Sequence, residues 1–170
     1  NIDPVIEISI TPNRAECLGV RGVARDLAAS GLGSLKPLRI QKTAGSFANP
    51  VNIRVENAAA CPVYTGRYIR GVNNKAETPK WMKDRLAAIG LRPISPLVDI
   101  TNYINYDLAR PLHVFDADKL TGGLVIREAR EGEKFVSLED KEYALDDKSL
   151  GICDDDGVQC LGGIMGGAAK

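Results

Sequence analysis

The chain has 170 residues, of which 44% are hydrophobic and 26% charged, with 22 basic and 22 acidic side chains. This composition fits a globular protein long enough to bury a core. A net charge of zero argues against a domain that grips nucleic acid along a whole face, and no apolar run approaches the roughly 20 residues of a membrane-spanning helix. The chain starts with neither Met nor an apolar signal core, so we expect a fragment of a larger polypeptide.

Residues 1–50 are predicted to contain a strand, a helix and a linker. Residues 5–10 alternate apolar with polar side chains, as a half-buried strand does. A helix is predicted from about Glu16 to Ser30 because its apolar residues recur at helical spacing and glycines follow it. Residues 32–50 show no period and are predicted to be a linker. Basic side chains make this part mildly basic, which favours at most a local contact with a phosphate backbone.

Residues 51–110 are predicted to begin a mixed α/β core that continues to residue 170. Strands are predicted at 51–55 and 63–72, where β-favouring side chains concentrate. Thr78 and Pro79 are typical of a helix start, with Thr78 as the cap. After an irregular passage at 92–96, a mostly buried helix is predicted over 97–108.

The second half of the chain is predicted to be rich in antiparallel strands. Short apolar runs are separated by turn-forming residues, and the run Asp154–Gly157 predicts a hairpin between two strands. The fold class is therefore α+β, a mixed α/β domain with an antiparallel β-rich second half. Its predicted strands lie at residues 124–128, 134–138, 142–145, 150–153 and 158–164.

The four cysteines show no C-x-x-C spacing, and no zinc site is expected. Two of them, Cys153 and Cys160, flank the predicted hairpin and either face each other or lie apart. We favour four buried, reduced thiols, including Cys17 and Cys61, in an intracellular protein.

Three polar residues lie where a pocket is expected. His113, the only histidine, sits between the predicted helix and the β half, as a pocket residue or a structural one. Asn102 lies inside an apolar helix, where a buried amide must either satisfy a nearby loop or point into a cavity. Arg92 is either solvated or phosphate-binding. No G-x-S-x-G motif is present, so a nucleophile triad is not expected.

The glycine-rich run from Leu161 to Gly167 matches neither the dinucleotide-binding nor the phosphate-loop motif. Because glycine weakens strands and helices, its frequency here indicates either a ligand that approaches the backbone closely or a bulged strand. The acidic run at 154–156 lacks the alternating ligands of a calcium loop and is predicted to be a turn.

Five motifs occur in one order along the chain and together resemble the B3/B4 region of bacterial phenylalanyl-tRNA synthetase β subunits. They are E-I-S-I-T-P-N-R-A-E-C-L at 7–18, T-P-K-W-M at 78–82, V-D-I-T-N-Y at 98–103, P-L-H-V-F-D at 111–116 and G-G-I-M-G-G at 162–167.

The resemblance implies proofreading. The parent enzyme attaches phenylalanine to its tRNA with ATP and Mg²⁺ at a site on the α subunit, and the B3/B4 region hydrolyses tyrosine wrongly attached to that tRNA. It also implies a cytoplasmic α2β2 enzyme with the α subunit and tRNA-Phe as partners. No cofactor, metal or membrane is expected for this region.

The resemblance also implies site residues. Arg92, Asn102 and Gly166 would form the editing pocket, with Gly166 leaving room for the tyrosyl ring. His113 would act in catalysis by positioning water or the terminal ribose. In the family, a Glu and a Thr further downstream complete the pocket, so the isolated fragment is expected to fold and yet to be inactive.

Three alternatives remain. The region is a scaffold that docks the α subunit or tRNA, or a free-standing deacylase of the same fold that acts on another aminoacyl-tRNA. The third, an unrelated binding domain, explains every feature as packing.

Overall fold

The computed structural model describes residues 4–168, and the chain divides into two units that interleave along the sequence. The helical unit comprises Asn1–Thr43 and Val72–Val114, and the β-rich unit comprises Ala44–Gly71 and Phe115–Lys170. Together their elements confirm the predicted α+β class. The predicted boundary at residue 50 stays a prediction.

The described elements of the helical unit are all helices. A 3₁₀ turn at Ala15–Leu18 precedes α1, Val20–Ala29; α2 spans Lys80–Ala88 and α3 spans Pro96–Leu108. Helix α3 packs against both α1 and α2. The predicted helices are confirmed, although the first is interrupted between its 3₁₀ turn and α1.

Three predictions in this unit are wrong. Residues 5–10 form no strand within residues 4–168, because the described part of their unit contains no other strand to pair with them. Helix α3 is not mostly buried: Asp99 is its one buried residue. Thr78 does not cap α2, because its hydroxyl donates to Asp99 instead.

The β-rich unit contains a five-stranded sheet in the order β1-β2-β5-β6-β7, and β3 and β4 form a separate hairpin. Strand β1 runs parallel to β2, and the other pairs are antiparallel. The strands are β1 Ile53–Val55, β2 Leu124–Glu128, β3 Lys134–Val136, β4 Glu142–Ala144, β5 Leu150–Asp154, β6 Gly157–Leu161 and β7 Met165–Gly166. The predicted strands of the second half are confirmed, except that the last, predicted at 158–164, ends at Leu161 as β6 and gives way to a turn, and β7 lies beyond the predicted span.

Two apolar clusters occupy opposite faces of strand β5. Ile152 belongs to one cluster, which is packed with Ile126, and Cys153 to the other, which contains Phe135. Successive side chains of a strand point to opposite faces, so β5 contributes to both clusters.

The cysteines are free, as predicted, but their placement differs from a facing pair. A register shift pairs Cys153 with Val158 and Ile152 with Cys160, so the two hairpin thiols belong to different clusters. Cys17, Cys153 and Cys160 are buried, whereas Cys61 is only half-buried, which corrects that part of the prediction.

The strand predicted at residues 63–72 is wrong. Tyr64 packs against the cluster that contains Ile152, while Val63 and Ile69 are exposed, and the segment joins no ladder. The alternation in the sequence therefore reflects side-chain packing without strand pairing.

Candidate functional site

A buried carboxylate fixes the segment that leads into helix α3. Asp99 is 1% exposed; its Oδ1 accepts the N–H of Ile94 at 2.8 Å, and its Oδ2 accepts the hydroxyl of Thr78 at 2.6 Å. A buried charge must be paired or hydrogen-bonded to be tolerated. Here the two bonds hold Ile94 in the loop before α3 and Thr78, which lies two residues before α2 begins. This anchoring role was predicted as one alternative for Asn102, and sequence reasoning missed Asp99. An acid among apolar residues, Val98-Asp99-Ile100, was the available indication.

The amide of Asn102 lies on α3, one turn after Asp99 and on the same side of the helix. It is half-buried and makes no hydrogen bond with any residue in the described range 4–168. An amide carries two donors and an acceptor. The side chain of Asn102 is therefore available to a ligand, which agrees with the second of its two predicted alternatives.

Arg92 precedes the loop segment that Asp99 holds. Its side chain is exposed and forms neither an ion pair nor a hydrogen bond within residues 4–168. Pro93 follows and restricts the backbone, since its ring fixes φ. The guanidinium thus projects from an anchored segment and can bind a phosphate or carboxylate.

His113 follows the end of α3, beyond Ala109, which caps the helix in the left-handed conformation with φ 51°. The imidazole is half-buried, and burial lowers the pKa of His113 below its usual 6.5. A neutral ring at pH 7 can accept a proton or a hydrogen bond, as a residue that orients water must.

Gly166 lies in β7, where its carbonyl oxygen accepts the N–H of Leu138 at 3.1 Å. A Cβ at Gly166 would lie 2.9 Å from Cδ1 of Leu138, the end of a flexible side chain that is 69% exposed. A side chain at this position is therefore accommodated when Leu138 rotates.

At the next residue, Gly167, an added side chain is not accommodated. A Cβ at Gly167 would overlap the carbonyl oxygen of Gln159 and would lie 3.0 Å from the Phe135 ring. Close packing thus explains Gly167, and a turn explains Gly163, whose φ is +72°. Gly166 is the glycine of this run whose lack of a side chain is compatible with a role toward a ligand.

The four predicted residues are divided between the two units. Arg92, Asn102 and His113 belong to the helical unit, and Gly166 belongs to the β-rich unit. Their grouping into one cavity stays a prediction.

Two of the basic side chains near the start of the chain, those of Arg14 and Arg25, are paired with carboxylates. Arg14 pairs with Glu16 at 2.7 Å and with Asp26 at 2.5 Å, and Arg25 pairs with Glu16 at 3.0 Å. The hydrogen bond from Arg14 lowers the pKa of Glu16 to about 2. Arg14 and Arg25 are thus engaged within their own unit, whereas Arg21, Lys36 and Arg39 form no ion pair within residues 4–168.

The three buried thiols are poor nucleophiles. Burial raises the pKa of Cys153 to about 11, and it also raises the pKa values of Cys17 and Cys160. A protonated thiol attacks esters slowly.

Within residues 4–168, no group of three or more His, Cys, Asp and Glu side chains is arranged to hold a metal ion. None of the helices in that range is long and apolar enough to cross a membrane.

In the described part of the chain, each unit has an open groove on its own surface. One of about 340 Å³ is bordered by Val20, Leu38 and Leu108 in the helical unit. The other, of about 430 Å³, is bordered by charged residues of the β-rich unit, among them Arg127 and Glu133. None of the four predicted site residues lines either groove.

Comparison with known proteins gives a family match that spans both units. The B3/4 domain family matches residues 60–170, which include all four predicted site residues.

Relatives of the chain are found among bacterial phenylalanine–tRNA ligase beta subunits. The chain is 55% identical to that of Paramagnetospirillum magneticum over 98% of its length, and 55% identical to that of Rhodospirillum rubrum over 98%. It is 53% identical to that of Bradyrhizobium diazoefficiens over 99%. The chain spans about a fifth of the length of these curated relatives, 21% in each case.

Proposed function

The chain belongs to the B3/4 domain family, and from this membership we propose that it is the editing region of a phenylalanine–tRNA ligase β subunit. In this role it hydrolyses tyrosine that has been wrongly attached to tRNA-Phe. The observation that carries the proposal is 55% identity over 98% of the chain to a β subunit of that ligase.

A second site is needed because tyrosine differs from phenylalanine by a single hydroxyl. An apolar synthetic pocket rejects such an analogue by only roughly 10²-fold. A pocket that hydrogen-bonds the phenol discriminates far more strongly, since phenylalanine would leave buried polar groups unpaired.

Each of the four residues has a distinct role in the proposed site. Arg92 binds a phosphate near the 3′ end of the tRNA, and Asn102 binds the polar groups of the aminoacyl ester. The unpaired state of both side chains within residues 4–168 supports these roles. Gly166 leaves space for the tyrosyl ring, and the neutral imidazole of His113 orients the attacking water or the terminal ribose.

The proposed reaction is hydrolysis of an already activated ester. Water attacks the carbonyl carbon, the bond from this carbon to the ribose oxygen breaks, and the ribose oxygen takes up a proton. Free tyrosine and uncharged tRNA result. Orientation of the water supplies the acceleration, and the raised pKa of the buried thiols supports a route without a cysteine nucleophile.

The proposed function also assigns partners and a cellular setting to this region. The α subunit and tRNA-Phe are the partners, within a cytoplasmic α2β2 assembly. ATP and Mg²⁺ act at the synthetic site of the α subunit, and the editing region uses no cofactor.

The test uses the full β subunit assembled with α and supplied with preformed Tyr-tRNA-Phe. His113→Ala is expected to slow tyrosine release by about 10²-fold, the contribution typical of a positioned acid–base group. Gly166→Trp is expected to abolish release by filling the space for the ring. Phenylalanine attachment, measured on the same preparations, should remain unchanged.

A double variant distinguishes two ways in which Gly166→Trp blocks tyrosine release: by filling the space for the tyrosyl ring, or by displacing Leu138. Combining Gly166→Trp with Leu138→Ala removes the contact that a side chain at residue 166 would make. We expect no recovery of tyrosine release. Unchanged release in both His113→Ala and Gly166→Trp would favour the scaffold alternative, and release of a different amino acid would favour a deacylase of other specificity.

A further inference from the structure

The segment at residues 5–10 has the sequence of a strand that buries one face. Ile6, Ile8 and Ile10 alternate with Glu7 and Ser9, so an extended backbone places the three isoleucines on one side. Pro4 and Pro12 bracket the segment, and proline is tolerated at strand ends because it lacks an N–H. The pattern is that of a short strand in a sheet with one solvated face.

Within residues 4–168 this strand has nothing to pair with. Residues 4–10 make no hydrogen bond with any described residue, and the described elements of their unit are all helices. Ile6 is 76% exposed and Ile8 is 53% exposed. Unpaired backbone beside exposed apolar side chains attracts any free sheet edge, so native proteins keep such segments covered.

We propose that residues 5–10 form a strand that pairs with a sheet edge contributed by a part of the same polypeptide outside residues 1–170. Pairing satisfies the backbone N–H and C=O groups and buries the three isoleucines, while Glu7 and Ser9 face solvent. The proposal goes beyond the proposed function, since it concerns how the region is built into the polypeptide and holds whether or not the region edits.

Two arguments favour the same polypeptide over a second copy or a separate partner. The curated relatives are about five times as long as this chain, which covers 21% of each, so ample sequence exists to supply a sheet. A tethered strand also pairs at a high effective concentration and needs no further affinity between molecules. A lone strand is not stable in water, which requires that the complementary sheet be present in the folded protein.

Amide hydrogen exchange on the full-length polypeptide tests the proposal. The amides of residues 5–10 are expected to exchange at least about 100-fold more slowly than in an unfolded peptide. Ile8→Asp is expected to remove this protection. Ser9→Asp places the same charge on the opposite face of the same strand and is expected to retain it.

A second pair of substitutions, both to alanine and therefore milder, keeps the test decisive if the Ile8→Asp variant fails to fold. Ile8→Ala is expected to lower protection at residues 5–10 by about 10-fold, and Ser9→Ala by less than about 2-fold, because only the first removes buried apolar area. The amide of Ile126 in β2 should stay protected in both.

Rapid exchange at residues 5–10 in the full-length protein would overturn the proposal. Protection that is lost on dilution would assign the strand to a second copy, and protection that requires the separate α subunit would assign it to that partner. Either result would also overturn pairing within one polypeptide.

Discussion

The two units of the chain use their apolar side chains in contrasting ways. In the β-rich unit, residues such as Phe135, Ile126 and Ile152 are almost wholly buried in two clusters. In the helical unit the buried apolar residues are Cys17, Met82 and Leu86. Many larger apolar residues of the helical unit are exposed, among them Ile6, Ile8, Leu18, Val20, Leu32 and Ile40.

This difference separates a unit that supplies its own core from one that depends on further contacts. Hairpins of the β-rich unit bring their apolar faces together within a short stretch of chain. The helical unit instead relies on polar anchors such as Asp99, and it leaves Arg92 and Asn102 unpaired within residues 4–168.

The strongest test of the contrast removes the centre of the β-rich core. Phe135→Ala should lower the free energy of unfolding by about 3–5 kcal/mol, because it leaves a cavity where the ring was buried. Tyr143→Ala, on the neighbouring strand β4 and 38% exposed, is the control and should cost much less. Urea unfolding of the purified protein measures both, and equal costs would show that this unit has no dominant core.

The matching test in the helical unit removes its buried anchor. Asp99→Ala should destabilise by about 2–4 kcal/mol, because the hydroxyl of Thr78 and the N–H of Ile94 lose their acceptor. Thr78→Val, which removes one of these bonds, should cost about half as much. Thermal unfolding with hydrogen exchange at Ile94 provides the measurement; a cost below that of an average surface substitution would contradict the anchoring role.

Two neighbouring glycines, Gly166 at the end of β7 and Gly167 directly after it, sharpen the comparison within the β-rich unit. Gly167→Ala should destabilise by about 1–3 kcal/mol, because its Cβ meets the carbonyl of Gln159 and the ring of Phe135. Gly166→Ala should cost less than about 0.5 kcal/mol, since only the mobile end of Leu138 must move. If the two substitutions cost the same, the packing difference between these positions is wrong.

The smallest expected effect concerns an ion pair in the β-rich unit. Arg127 and Glu133 are both 14% exposed and lie 2.7 Å apart, and the hydrogen bond from Arg127 lowers the pKa of Glu133 to about 2 from 4.5. Because the folded pKa is the lower one, the stabilisation is complete above about pH 4.5 and is lost as the pH falls toward 2.

Glu133→Gln should therefore be less stable than the wild type by about 1–2 kcal/mol at pH 7. The difference should shrink as the pH falls from 4.5 to 2. Unfolding midpoints in urea across this pH range provide the measurement. A difference that grows at acidic pH would contradict the assigned direction.

Much of the β-rich unit could be predicted from sequence because its strands and turns are encoded locally. The apolar runs of β5 and β6 and the turn Asp154–Gly157 between them specify a hairpin without reference to distant residues. The strand predicted at residues 63–72 failed because alternation records which side chains are covered, and Tyr64 is partly buried by packing without strand pairing.

In the helical unit the sequence predicted helices but not their surroundings. Helix α3 was expected to be buried because it is apolar, yet within this chain Asp99 is its one buried residue. Its anchor was missed because a buried acid is recognised only from its partners, and Thr78 and Ile94 lie outside the helix. The sequence drew attention to Asn102, Arg92, His113 and the glycine-rich run one by one, but only the family resemblance grouped them with Gly166 as one predicted site, since no local pattern marks them as a group.

The most direct test of the editing account supplies the full enzyme with tyrosine, ATP and tRNA-Phe in place of phenylalanine. With Asn102→Ala or Gly166→Trp, Tyr-tRNA-Phe is expected to accumulate while the rate of Phe-tRNA-Phe formation stays at the wild-type level. If neither variant accumulates Tyr-tRNA-Phe under conditions where its synthesis is demonstrated, these residues do not edit.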